Sequence, residues 1–192
     1  MMKYKALKLL SIIIHATLIC SCAAAVLAGA AGSYIVYDDR SMRSLEKDAR
    51  IFHVVHTQFV RNEQLRNAHL DITSFKQIVL LTGQCPYASQ RALAEKIGRD
   101  APNVRKLYNE ISIENPSGAW RKTKDTALTS NVRTHMLTKK GLESGSIQIV
   151  TENGVVFLMG DVTHAQADLA VNVAQAIPGV MKVVKVFQYL DD

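Results

Sequence analysis

Between Arg121 and Lys140 the chain places six basic side chains, Arg121, Lys122, Lys124, Arg133, Lys139 and Lys140, against one acid, Asp125. That is 6 − 1 = +5 over 20 residues. Such a segment suits an anionic surface, where each nearby Lys or Arg contributes ~1 kcal/mol. The rest of this half of the chain carries Lys182 and Lys185 against Glu143, Glu152, Asp161, Asp168, Asp191 and Asp192, or 2 − 6 = −4. The half is therefore electrically lopsided although its net charge is only +1. Trp120, the single tryptophan, stands at the head of the basic run. A solvated helix face is the other reading of the same charges. No catalytic, cofactor or metal site emerges elsewhere. His53, His56 and His69 are close in sequence, but no cysteine or carboxylate set completes a zinc pattern. Ser, His and Asp occur without a nucleophile elbow, and no glycine-rich stretch has phosphate-loop spacing.

Cysteine chemistry points to the N-terminus. Lys3, Lys5 and Lys8 precede an apolar run from Leu9 to Ile19, and Ile19-Cys20-Ser21-Cys22-Ala23 follows. The run is too short for the ~20 apolar residues of a spanning helix and reads as an export signal over residues 1–21. The Cys22 context resembles a bacterial lipobox and makes Cys22 the candidate lipid anchor, a better fit than Cys20. An ordinary cleaved signal or an uncleaved anchor is the alternative. Loss of Cys20 and acylation of Cys22 leave only Cys85, which cannot form an internal disulfide. The formal net charge of +6 falls to +3 once the three signal lysines are removed. That value gives little support to a nucleic-acid partner. Residues 22–44 read as the lipidated N-terminus and a tether.

The elements that must position the basic run appear twice. Val79-Leu80-Leu81-Thr82-Gly83 matches Val156-Phe157-Leu158-Met159-Gly160 at an offset of 77 residues. Val55, Thr57 and Leu65 match Val132, Thr134 and Leu142 at the same offset, and Pro102 and Val104 match Pro178 and Val180 at 76. A repeat of this length means two copies of one small domain. The expected order in each is α-β-β-α-β, an α+β unit with a small mixed three-stranded sheet packed against two helices, over residues 45–115 and 116–192. In the first copy, Val54, Val55, Phe59 and Val60 form the expected buried helical stripe. Strands are expected at Leu70–Ser74, Ile78–Thr82 and Val104–Ile113, with a helix from Pro86 to about Ala101. In the second, a helix is expected from about Lys124 to Lys140 with Thr123 as N-cap. Strands at Ile147–Thr151 and Val155–Gly160 flank an Asn153-Gly154 turn, the strongest short hairpin signal. A helix at about His164–Ala176 and a strand at Met181–Leu190 close the unit. Leu128, Val132 and Met136 at i, i+4 and i+8 belong to the core, which leaves Lys124, Ala127, Asn131 and Thr134 on a neighbouring face.

The strand blocks ending at Gly83 and Gly160, with the turns Pro102-Asn103-Val104 and Pro178-Gly179-Val180, resemble those of BON domains. The order of two such units behind a lipobox is similar to that of dual-BON outer-membrane lipoproteins. This resemblance implies a periplasm-facing, lipid-anchored protein of the outer membrane that supports envelope integrity, with envelope or division-site proteins as partners. It also implies that an anionic, phosphatidylglycerol-like phospholipid membrane is bound through the first helix of the second unit. The corresponding residues here are Trp120, Arg121, Lys124, Ala127, Leu128, Asn131, Thr134 and Leu137. The family pattern carries a tryptophan at the position of Ala127, so Trp120, seven residues earlier, is expected to supply the interfacial contact or else to pack between the units. A protein-interaction or chaperone module, with a partner on a sheet edge or between the units, is the alternative of a different class.

Overall fold

The computed structural model describes residues 41–116 and 118–190. The expectations on residues 1–40, including the export signal and Cys22, lie outside the described residues. The first unit begins with helix α1, Met42–Arg61, which starts three residues ahead of the expected boundary at residue 45 because Ser41 caps it, its side chain accepting from the Ser44 N–H at 3.3 Å. Strands β1 (His69–Phe75) and β2 (Ile78–Cys85) form an antiparallel hairpin. Helix α2 (Ala88–Asp100) returns the chain to β3 (Lys106–Asn109) and β4 (Ser112–Ile113), both parallel to β2. The second unit repeats the order with α3 (Ala119–Thr138), β5 (Ile147–Glu152), β6 (Val155–Val162), α4 (His164–Gln175) and β7 (Lys182–Tyr189). β6 pairs antiparallel with β5 and parallel with β7.

The expected α+β architecture and element order hold, and the closing strand of the first unit differs. It was expected to be continuous over 104–113 and is instead split. The Asn109 side-chain oxygen accepts the Ile111 N–H at 3.3 Å, which withdraws that backbone donor from the ladder, and the Asn109 amide donates to Glu95 at 3.0 Å. The sheet thereby counts four strands rather than three. The helical stripe of α1 is also shifted. Ile51, Val55 and Phe59 are buried, whereas Val60 is 72% exposed. Their partners at an offset of 77, Leu128, Val132 and Met136, are the buried stripe of α3.

Each unit packs its two helices on one face of its sheet around its own core. The other sheet faces meet. Phe75, Ile78 and Leu80 of the first unit form one buried cluster with Phe157, Met159 and Val186 of the second. Lys76 pairs with Asp161 at 3.4 Å across this junction, and the Gln84 amide donates to the Glu152 carboxylate. The space between the sheets is thus filled by the protein itself.

Gly83 and Gly160, the glycines of the repeated block, mark the closest approach of the hairpin strands. A Cβ on Gly160 would lie 2.4 Å from the Ser146 carbonyl oxygen, and one on Gly83 would lie 2.0 Å from that of His69. His69 and Ser146 are themselves 77 residues apart. The glycine is needed in both copies because a backbone oxygen occupies the side-chain position.

Candidate lipid-facing site

Helix α3 begins at Ala119 with Gly118 as N-cap, not at Lys124 behind Thr123. The Arg121 N–H donates to the Gly118 carbonyl at 3.0 Å, so the first turn closes five residues earlier than expected. Trp120 consequently stands in the first turn of the helix, 71% exposed, and neither in the linker nor packed between the units. The Lys124 ammonium lies over its ring, 5.5 Å from the centroid, in a cation–π contact.

The basic run does not form one face. Arg133 donates to the Ile147 carbonyl at 2.9 Å and braces the helix on β5. Lys122 pairs with Asp71 of the first unit at 3.8 Å. Arg121 and Lys124 point instead along the exposed side that also carries Ala127, Asn131 and Thr134. The one acid, Asp125, is turned inward and 8% exposed. Its carboxylate accepts from the backbone N–H groups of Asn153 (2.8 Å) and Gly154 (2.9 Å), holding the β5–β6 turn. Asp48 does the same in the first unit, accepting from the N–H groups of Lys76 and Gln77 and from the Ser74 hydroxyl, each at 2.8 Å. The two acids lie at the repeat offset of 77, a signal present in the sequence but absent from the expected site.

A second regularity runs along the neighbouring flank of α3, on the Lys122 side, and reaches this face at Thr134. Thr126, Ser130, Thr134 and Thr138 each donate a hydroxyl to the carbonyl four residues earlier, at 2.9, 3.1, 2.9 and 3.2 Å. These exposed donors are satisfied within the helix and need no water for that bond.

Arg121, Lys124, Ala127, Leu128 and Asn131 line a groove of about 740 Å³ between α3, the Asn153-Gly154 turn and the Pro178–Met181 turn. Leu128 belongs to the core and presents only its edge to the groove. Of the other expected residues, Leu137 is exposed farther along the helix and Thr134 stands on the same side, both outside the groove lining. Met181, 81% exposed, was not among the expected residues. Among the described residues, no group of three or more His, Cys, Asp or Glu side chains is placed to hold a metal ion, and no helix is long and apolar enough to cross a membrane.

The BON domain family model matches residues 47–115 and 124–191. The chain belongs to the BON-domain family. It is 31% identical to the outer membrane lipoprotein DolP of Haemophilus influenzae over 188 residues, 96% of this chain and 97% of that protein. It is also 31% identical to the 21 kDa hemolysin of Actinobacillus pleuropneumoniae, over 81% of this chain and 73% of that protein. Similarity to the osmotically-inducible protein Y of Escherichia coli is lower, at 25% over 71% of this chain and 69% of that protein. In BON terms, α3 opens the second domain, and its first five residues lie ahead of the matched segment.

Proposed function

We propose that this protein is a lipid-anchored, periplasm-facing component of the outer membrane, held there through Cys22. Its second BON domain would bind anionic phospholipid through α3 and so support envelope integrity, including at the division site. Likeness to DolP over nearly the full length supports the location. The observation that carries the lipid reading is the exposed side of α3. It presents Trp120, Arg121, Lys124, Ala127, Asn131 and Thr134, while the only acid of the helix is directed inward. Arg121 and Lys124 supply long-range attraction, and Trp120 supplies an amphipathic ring suited to the headgroup level.

Flotation of the full chain carrying Cys22→Ser, with vesicles containing or lacking phosphatidylglycerol, tests this. Binding is expected only with the anionic lipid and is expected to fall with salt. The double change Arg121→Gln and Lys124→Gln removes two charges worth ~1 kcal/mol each, a loss of about 30-fold. Trp120→Ala is expected to weaken binding further. Salt-insensitive binding that ignores these changes would refute the reading. One feature favours a protein partner instead. Phe52, stacked on His56 at 5.3 Å, and the exposed Val60 form an i, i+4, i+8 row on α1. Charge changes on α1 that abolish envelope function but spare vesicle binding would support that partner reading.

A further inference from the structure

The groove beside α3 has a second wall facing Arg121 and Lys124. It is the turn from Pro178 to Met181 that leads into β7. Gly179 adopts φ +98, and the Met181 N–H donates to the Gly154 carbonyl at 2.8 Å, so the turn is tied to the β5–β6 hairpin. The Met181 side chain, in contrast, is 81% exposed. Pro178 and Gly179 beside it are exposed too, and Lys182 follows, also exposed.

The repeat supplies the comparison. The residue matching Met181 in the first domain, at the offset of 76, is Arg105, whose N–H donates to the Gln77 carbonyl at 2.9 Å in the same way. The residue matching Trp120, at the offset of 77, is Arg43. The scaffold is therefore the same in both domains, but only the second carries a large apolar side chain on each rim of this face. Met181 Sδ and Cγ lie against Gly154, but most of the side chain is in solvent, where a methionine gains little over the arginine its twin holds. A surface that meets an interface does gain, because a flexible thioether fits an irregular apolar environment. The charges facing the groove fit the same environment. Arg121 and Lys124 are positive. Asp125 is occupied by two backbone N–H groups, and Glu114, exposed and accepting from the Asn153 amide at 3.4 Å, is the one acid facing the groove in solvent, against two bases.

We propose that the Pro178–Met181 turn is a second membrane-contacting element, so that Met181 and Trp120 enter the bilayer interface on either side of one anionic headgroup seated by Arg121 and Lys124. This rests on the phospholipid reading above and adds to it the second contact, the orientation of the domain and the stoichiometry of the seat.

The test uses the tryptophan count. The full chain is reconstituted into vesicles of phosphatidylcholine with or without phosphatidylglycerol, either as it stands or carrying Trp120→Phe with Met181→Trp. With the anionic lipid, emission from position 181 is expected to shift to the blue and to be quenched by bilayer-embedded bromolipid, as is emission from Trp120. Met181→Ser in the Cys22→Ser chain is expected to weaken vesicle binding about tenfold, in keeping with loss of one buried apolar side chain. The backbone hydrogen bond of residue 181 does not depend on its side chain, so folding is preserved, and circular dichroism checks it. If Trp120 responds while position 181 stays unshifted and unquenched, or Met181→Ser binds within twofold of its parent, the turn is no contact and the inference fails alone. If Trp120 is silent as well and vesicle binding is absent, the phospholipid reading fails with it.

Discussion

Asp125→Ala is the sharpest test of how the second domain holds its shape. The carboxylate is 8% exposed and accepts two short backbone hydrogen bonds, from Asn153 and Gly154. Both donors sit at positive φ, 50° and 76°, in the two-residue turn that sets the register of β5 and β6. A hydrogen bond to a charged group is worth ~1.5–3 kcal/mol, and the unmatched donors add their own desolvation cost. The loss is reduced because the exposed side of the turn lets water reach part of the site, so we expect about 3–4 kcal/mol. With a urea m-value of ~1–3 kcal/mol/M, the midpoint falls by roughly 1–4 M. Trp120 is the only tryptophan and lies in α3, so its fluorescence reports the second domain specifically. Asp125→Asn keeps one acceptor oxygen and is expected to lose about half as much. Asp48→Ala, read by circular dichroism, is expected to cost at least as much, since Asp48 accepts three bonds. A midpoint for Asp125→Ala within about 0.3 M of the parent, a loss of under ~1 kcal/mol, would refute the clamp.

Gly160→Ala is expected to destabilise the second domain by ~3 kcal/mol or more, since its Cβ would meet a backbone oxygen that cannot rotate away, whereas Gly118→Ala, with nothing within 4 Å, serves as a near-neutral comparison by the same urea assay. Gln77→Gly is expected to stabilise the first domain by about 1 kcal/mol, because Gln77 holds φ 67° without the freedom of glycine. The Cys85 thiol is fully buried, and burial pushes its pKa up despite the contact with the Tyr87 carbonyl. Maleimide labelling at neutral pH is therefore expected to be slow in the folded protein and to become rapid in urea; rapid labelling without denaturant contradicts this. Glu152 is pushed up as well, by burial first, with Asp125 and Asp71 adding to it and the Gln84 bond opposing. A carboxyl raised in the folded state takes up its proton before the unfolded chain does, so its contribution grows as pH falls from neutrality toward the ordinary Glu range near ~4.3 and is lost as pH rises. The urea midpoint of the parent minus that of Glu152→Gln should accordingly increase from pH 8 to pH 5, and a flat or falling difference would contradict it.

Much of the fold was legible because the chain states it twice. The strand blocks, the Asn153-Gly154 turn and the stripe Leu128, Val132 and Met136 each carry a local signal whose period matches the observed element. What was not legible was set by contacts at a distance. The start of α3 was misplaced because Thr123 looks like a cap, while Gly118 does the work with its backbone alone. The break in the closing strand of the first domain depends on Asn109 finding Glu95 on α2. Val60 looked as apolar as Phe59, and only the position of the sheet decides which of the two is covered. At the site, the basic run was visible, but its division was not. Arg133 and Lys122 are spent on β5 and on Asp71, and nothing in their spacing distinguishes them from Arg121 and Lys124.

The way the two domains meet limits where either can act. Their sheets pack face to face through Phe75, Ile78, Leu80, Phe157, Met159 and Val186, which removes those faces from any partner. Helices, turns and the outer edges of the sheets remain as the available surface, and the helices and turns are where the copies differ on the proposed face. Where α3 carries Trp120, α1 carries Arg43, and where the last turn carries Met181, the first domain carries Arg105. The same hydrogen bonds, from Asp48 or Asp125 and from residue 105 or 181, hold both versions in place. A change of surface chemistry thus cost the fold little, because the clamping groups are a buried carboxylate and backbone donors rather than the exposed side chains. That separation predicts that exchanging Trp120 and Met181 for their first-domain equivalents, Trp120→Arg with Met181→Arg, leaves the Asp125 clamp and the urea midpoint nearly unchanged. The exchange removes both interfacial side chains but adds two positive charges, so vesicle binding that remains should be purely electrostatic and fall more steeply with salt than that of the parent, whereas a clear loss of stability by circular dichroism would mean that the face is structural after all.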